Sequence, residues 1–154
     1  VGYEPDPGNA HVLRRNLADG LRDGWYTLIV AAAGAADREA RFELGLGDAS
    51  HEAHSGSPVT VIDVLPAMPA CDLAKIDIEG GEWEILQDSR LGTAGPTALV
   101  VECHADRSPE GSPRVAAERC LRASGYEILD AGRAGGADQA ILWALRTGAR
   151  RRCA

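Results

Sequence analysis

The residues best suited to chemistry gather at three points of the sequence: Glu4, the run Asp77-Ile78-Glu79-Gly80-Gly81, and Glu102 with His104. The central run is the densest. Two carboxylates followed by two glycines mark a turn where backbone can approach a ligand closely, and an acid there can position or deprotonate a hydroxyl. Acids two residues apart on a central strand are costly to bury without purpose, which favours a functional reading of Asp77 over one in which it only pairs with Lys75. Glu79 either meets a substrate or caps the helix that follows. His104 offers a neutral imidazole near neutral pH and is a candidate general base, or else a hydrogen-bonded structural group. Glu4 has two readings as well. Its two carboxylate oxygens suit the vicinal hydroxyls of a ribose, and they equally suit the positive end of the helix beginning near Asp6.

Other reactive side chains make no site. His51, Glu52 and His54 lie in a Gly/Ser loop with no third ligand at helix-fixed spacing, so no metal is assigned. Cys71, Cys103, Cys120 and Cys153 contain no CxxC pair and read as buried free thiols.

These residues need a scaffold that brings strand ends together. Val1 to Tyr3 reads as the end of a strand, and Asp6-Pro7 opens a helix with an apolar stripe of Ala10, Leu13, Leu17 and Leu21. Trp25 to Ala33 reads as one buried strand ending at Gly34. Ala40 to Leu44 and Val59 to Val64 read as short strands around a mobile Gly/Ser/Asp/His loop, Gly45 to Pro58. Asp72 to Ile78 predicts a strand, Glu82 to Asp88 a helix with Trp83 and Leu86 inward, and Ala98 to Val101 a strand ending in Glu102-Cys103-His104. A helix follows over Pro113 to Ser124, with Val115, Ala116, Arg119, Cys120 and Ala123 in register, stopped by Gly125. Tyr126 to Asp130 and Gln139 to Leu145 predict an antiparallel hairpin. Such alternation implies an α/β fold with a mostly parallel sheet, whose ligand chemistry lies at the carboxyl ends of its strands.

Composition narrows the function classes. The chain has 154 residues, 45% hydrophobic and 25% charged, which suits one globular domain. The net charge is -7, and residues 1–145 carry -11 because Arg146, Arg150, Arg151 and Arg152 fall in the last nine positions. An acidic body repels phosphate backbones and the basic tail, 146–154, lacks interleaved aromatics, so nucleic acid is not an expected partner. No run approaches the ~18 apolar residues of a membrane span. With no signal segment either, a soluble cytoplasmic protein is expected.

At these same residues the chain resembles the FkbM family of class I S-adenosylmethionine-dependent methyltransferases. Glu4-Pro5-Asp6-Pro7 with Asn9 and Leu13-Arg14-Arg15-Asn16-Leu17 resembles the family's second-strand acid and helix. Ala32-Ala33-Gly34 with Ala40-Arg41-Phe42 resembles its third strand and hairpin. Val61 to Leu65, then Asp72-Leu73-Ala74-Lys75-Ile76-Asp77-Ile78-Glu79-Gly80-Gly81-Glu82, is similar to its most recognisable stretch, and Val100-Val101-Glu102 with His104 follows. The resemblance spans residues 1–145. It implies a Rossmann-like sheet of order 3-2-1-4-5-7-6 and S-adenosylmethionine as cofactor. In that picture Glu4 binds the ribose, Ala33-Gly34 borders adenine, and Asp77 faces methyl donor and acceptor, with Glu79 and His104 on the substrate side. The family's glycine-rich first strand and its helix have no counterpart, so the chain reads as a partial domain that alone binds the cofactor weakly or not at all.

The leading expectation is therefore O-methylation of a small-molecule hydroxyl, on a natural product or sugar, with Asp77 or His104 as base. A methyltransferase-like remnant without catalysis is the alternative. Ile76-Asp77-Ile78-Glu79 also superficially resembles the paired-acid strand of some glucanases, but that pattern wants a third acid where Lys75 stands, and an all-strand fold.

Overall fold

The computed structural model describes residues 1–132 and 138–148, and the backbone groups into two compact units that divide between Asp63 and Val64. The first unit runs β1 (Gly2–Tyr3), α1 (Pro7–Asn16), α2 (Ala18–Arg22), β2 (Leu28–Ile29), β3 (Ala32–Gly34), β4 (Arg38–Glu43), β5 (His51–Glu52) and β6 (Ser57–Asp63). The second runs β7 (Leu73–Ile76), α3 (Glu82–Gln87), α4 (Leu91–Ala94), β8 (Ala98–His104), α5 (Pro113–Ala123), β9 (Tyr126–Gly132) and β10 (Gln139–Arg146). This is a mixed α/β protein. Among the described residues no helix is long and apolar enough to cross a membrane.

In the first unit β1 and β2 pair in parallel, and a separate sheet has the order β3-β6-β4-β5. Its core is Ala32, Phe42, Val59 and Val61, with Ala40 and Leu44 packed against them. Asp6 organises the neighbouring loop. Its Oδ1 accepts the N–H groups of Gly8 (2.7 Å) and Asn9 (3.3 Å), which satisfies free donors at the start of α1. Its Oδ2 accepts the N–H of Gly45 (2.5 Å) and the hydroxyl of Ser50 (3.1 Å), while Asn9 Nδ2 donates to the Gly47 carbonyl at 2.7 Å. The segment expected as a mobile loop is thus tied to the helix and contains β5.

In the second unit the order is β7-β8-β10-β9, with β7 parallel to β8 and the other pairings antiparallel. α5 begins with the Ser112 hydroxyl accepting the Val115 N–H at 3.4 Å and buries Pro113, Ala116, Ala117 and Leu121. Tyr126, Leu99, Val101 and Leu142 complete the apolar interior.

Several expectations need correction. Among the described residues the expected mostly parallel sheet is three sheets: β1–β2 is parallel, and the other two mix both pairings because β8–β10 and β4–β6 are antiparallel in addition to the expected C-terminal hairpin. Trp25 to Ala33 is not one buried strand: Trp25 is 83% exposed, and only the short β2 and β3 form. Val115 faces solvent while Ala117 and Leu121 take the buried stripe of α5. Cys71 is exposed rather than buried. Arg146, counted with the basic tail, closes β10 and donates to the carbonyls of Leu91, Gly92 and Gly95 and to the Tyr126 hydroxyl. Cys153 and the arginines at 150–152 lie outside the described residues.

Candidate functional site

Strand β7 ends at Ile76, so Asp77 and Glu79 lie in the turn beyond the strand and not on it. Parallel pairing sets Ile76 beside Val101, and the residue after each is an acid, Asp77 just beyond the end of β7 and Glu102 within β8. Side chains two apart on a strand share a face, which puts His104 on the Glu102 side of β8 and Cys103 on the other. One ligand-capable atom from each of Asp77, Glu102 and His104 lies within 4.8 Å of the other two. Asp77, Glu102 and His104 thus come together in this unit, whereas Glu4 belongs to the other.

The turn is backbone-strained. Glu79 has φ 51° and Gly80 φ 92°, and the Gly81 N–H returns to the Ile78 carbonyl at 3.1 Å. A non-glycine residue in the left-handed region is uncommon and concentrates at functional turns. The φ of Gly80 disfavours any side chain there, and a Cβ on Gly81 would stand 3.2 Å from Ile78 Cδ1 and 3.3 Å from the Ile78 carbonyl oxygen, pressing on the turn.

The organiser of the site is Glu82, a residue to which sequence reasoning gave no role. It is fully buried in the first turn of α3. Oε2 accepts the Gly80 N–H at 2.9 Å, and Oε1 accepts the His104 N–H at 2.7 Å and lies 3.3 Å from His104 Nδ1. One carboxylate therefore fixes both the turn after β7 and the end of β8. Trp83 repeats the tie, since its indole N–H is shared between the carbonyls of His104 (3.0 Å) and Asp106 (3.1 Å). The sequence signals for Glu82 were its position directly after the glycine pair and its place at the end of the family-like stretch.

His104 has 9% of its side chain exposed, and its Nε2 is buried without a hydrogen-bond partner. Glu79 Oε2 stands 3.5 Å from it. Burial pushes the Glu79 carboxyl above its ordinary range; His104 opposes the shift, and the charges of Asp77, Glu82 and Glu102 add to it. Lys75 Nζ meets Asp77 Oδ2 at 2.7 Å, so the simple pairing considered for Asp77 does occur, on an exposed lysine. Glu79 does not cap α3; Glu82 takes that turn's N–H instead. The Cys103 thiol is pushed far up by burial, which makes it a poor nucleophile.

The remaining predicted residues lie in the first unit. Glu4 Oε1 accepts the Asp6 N–H at 2.8 Å, the helix-entry role, and among the described residues Oε2 has no protein donor. Ala33 and Gly34 end β3, paired with Ile62 and Asp63 of β6. Chemically, the arrangement offers a carboxylate pair with an unpartnered imidazole nitrogen in one unit and an open carboxylate acceptor in the other.

The family model described as the methyltransferase FkbM domain matches residues 1–128. No curated protein and no solved structure matches.

Proposed function

Because the chain belongs to the FkbM methyltransferase domain family, we propose that it takes part in methyl transfer from S-adenosylmethionine to a hydroxyl oxygen of a small molecule, such as a natural product or a sugar. The observation that carries the reading is the meeting of Asp77 and His104 at the carboxyl ends of two parallel strands, where α/β folds do their chemistry. The sheet order supports a class I, Rossmann-like assignment. β7-β8-β10-β9, with β10 reversed, has the pattern expected of the 4-5-7-6 half of the order that the resemblance implies, and the parallel pair β1–β2 is compatible with its strands 2 and 3.

The residues of the first unit suit the adenosine end of the cofactor. Among the described residues Glu4 Oε2 has no protein donor and is open to a ribose hydroxyl, so Glu4 would hold the ribose and Ala33-Gly34 would border the adenine. When bound, S-adenosylmethionine supplies an electrophilic methyl group on a sulfonium. The chain's own task is to hold the acceptor hydroxyl in line and take its proton. His104 Nε2 has no hydrogen bond to lose and Nδ1 faces Glu82, an arrangement that holds the ring still while Nε2 receives the proton. Asp77 is the second candidate base. Glu79, held near His104 by the strained turn, lies on the acceptor side.

The cofactor reading is tested by saturation-transfer NMR of S-adenosylmethionine, which registers weak ligands. Saturation of the adenosine protons is expected with the native chain and is lost in Glu4→Ala. Unchanged saturation in that variant, or none with the native chain, overturns it.

A further inference from the structure

We propose that Asp77, Glu102 and His104 form a binding site for one divalent transition-metal cation, to which His104 offers Nε2. The proposal does not depend on the methyl-transfer reading. Three observations carry it.

First, one donor atom from each residue already lies within 4.8 Å of the others, on side chains set by the parallel register of β7 and β8. With ligand distances of about 2.1 Å, three donors around one ion lie ~3.0–3.6 Å apart, so up to roughly 1.2–1.8 Å of closure is needed. Asp77 is 29% exposed and Glu102 is only partly buried, so both carboxylates have room to make that movement. Second, His104 Nε2 is a buried polar atom without a hydrogen-bond partner on a side chain that is 9% exposed, with the Glu79 carboxylate 3.5 Å away, beyond a good hydrogen bond. Such an atom is costly unless something coordinates it. Third, the opposite ring nitrogen faces the buried Glu82 carboxylate at 3.3 Å, and a carboxylate behind the ring is what orients a metal-ligating histidine and strengthens it as a donor.

The donor set names the class of ion. Two carboxylates and one imidazole are mixed oxygen and nitrogen ligands, suited to Mn²⁺, Fe²⁺ or Zn²⁺ rather than to a soft thiophilic ion. The incumbent partner is Lys75, which holds Asp77 Oδ2 from an exposed position and competes with a cation for that carboxylate.

Mn²⁺ binding to the 154-residue chain, followed by electron paramagnetic resonance, tests the site. One Mn²⁺ per chain is expected, with a ¹⁴N imidazole coupling in the spin-echo modulation. Asp77→Asn and Glu102→Gln, both at partly exposed side chains, should each weaken binding by about ten-fold or more. Lys75→Met should tighten it, because the competing ammonium is gone. Absence of saturable uptake by the native chain overturns the proposal without any variant. So does uptake lacking the nitrogen coupling, or uptake indifferent to Asp77→Asn and Glu102→Gln.

Discussion

The carboxylate of Glu82 holds His104 twice, accepting its backbone N–H at 2.7 Å and lying 3.3 Å from its ring Nδ1. Its other oxygen holds Gly80. A buried acid thus couples the glycine turn to the histidine, and the orientation of the imidazole depends on a residue that never faces the ligand side.

Removing Glu82 should loosen both ends. Glu82→Ala leaves the N–H groups of Gly80 and His104 buried without their acceptor and is expected to cost about 3–5 kcal/mol in urea denaturation. Glu82→Gln keeps a carbonyl for one of them and should cost roughly half as much. Equal stability of both variants and the native chain would remove Glu82 from its organising role.

Trp83→Phe tests the second tie. The indole N–H bonds to the carbonyls of His104 and Asp106 are lost from a side chain only 3% exposed, for an expected ~2 kcal/mol. The ring resonances of His104 should shift with it, because the end of β8 is released. Unmoved His104 resonances would show that Glu82 alone positions the ring.

The two assignments for Asp77 and His104 separate in a turnover assay with a cognate acceptor. A proton-accepting role predicts a loss of ~10²–10⁴-fold for the residue that is the base, in Asp77→Asn or His104→Gln, with Glu102→Gln milder. A metal-binding role predicts that Glu102→Gln falls in step with Asp77→Asn, and that added Mn²⁺ restores part of the rate. Full turnover in both Asp77→Asn and His104→Gln would dismiss the base assignment.

Acid stability should report on Asp6. The Gly45 N–H, with further donors from Gly8, Ser50 and Asn9, holds its carboxyl below the ordinary aspartate range against an opposing effect of burial. A depressed folded-state pKa stabilises the fold above the unfolded value and loses that contribution as pH falls through the folded one. The melting temperature should therefore drop as the pH is lowered below 3.8, and Asp6→Asn should flatten that part of the profile. A native profile level through this window contradicts the assignment.

Arg146→Lys should not rescue Arg146→Ala. The guanidinium fans across the carbonyls of Leu91, Gly92 and Gly95 and lies 4.9 Å over the Tyr126 ring, a set of contacts that a single ammonium does not span. A loss of about 2–3 kcal/mol is expected for Ala, with less than half recovered by Lys, in thermal or urea unfolding. Full recovery would show that charge alone matters.

Much of the local architecture could be read from the sequence, because its causes are local. Asp6-Pro7 starts α1 through bonds to N–H groups two and three residues away, and Gly125, with φ 81°, ends the α5 helix through its own backbone freedom. The order of helices and strands, the C-terminal hairpin and the chemical promise of Asp77 and His104 follow from patterns of this short range. Tertiary structure decided the rest. Whether Asp77 meets Glu102 depends on the register of β7 against β8, and the role of Glu82 depends on His104, 22 residues away. Arg146 likewise reads as a solvated charge until carbonyls more than fifty residues earlier are folded onto it. Burial and partners at such separations are set by which strands lie side by side. Residue type and local spacing carry no record of that choice.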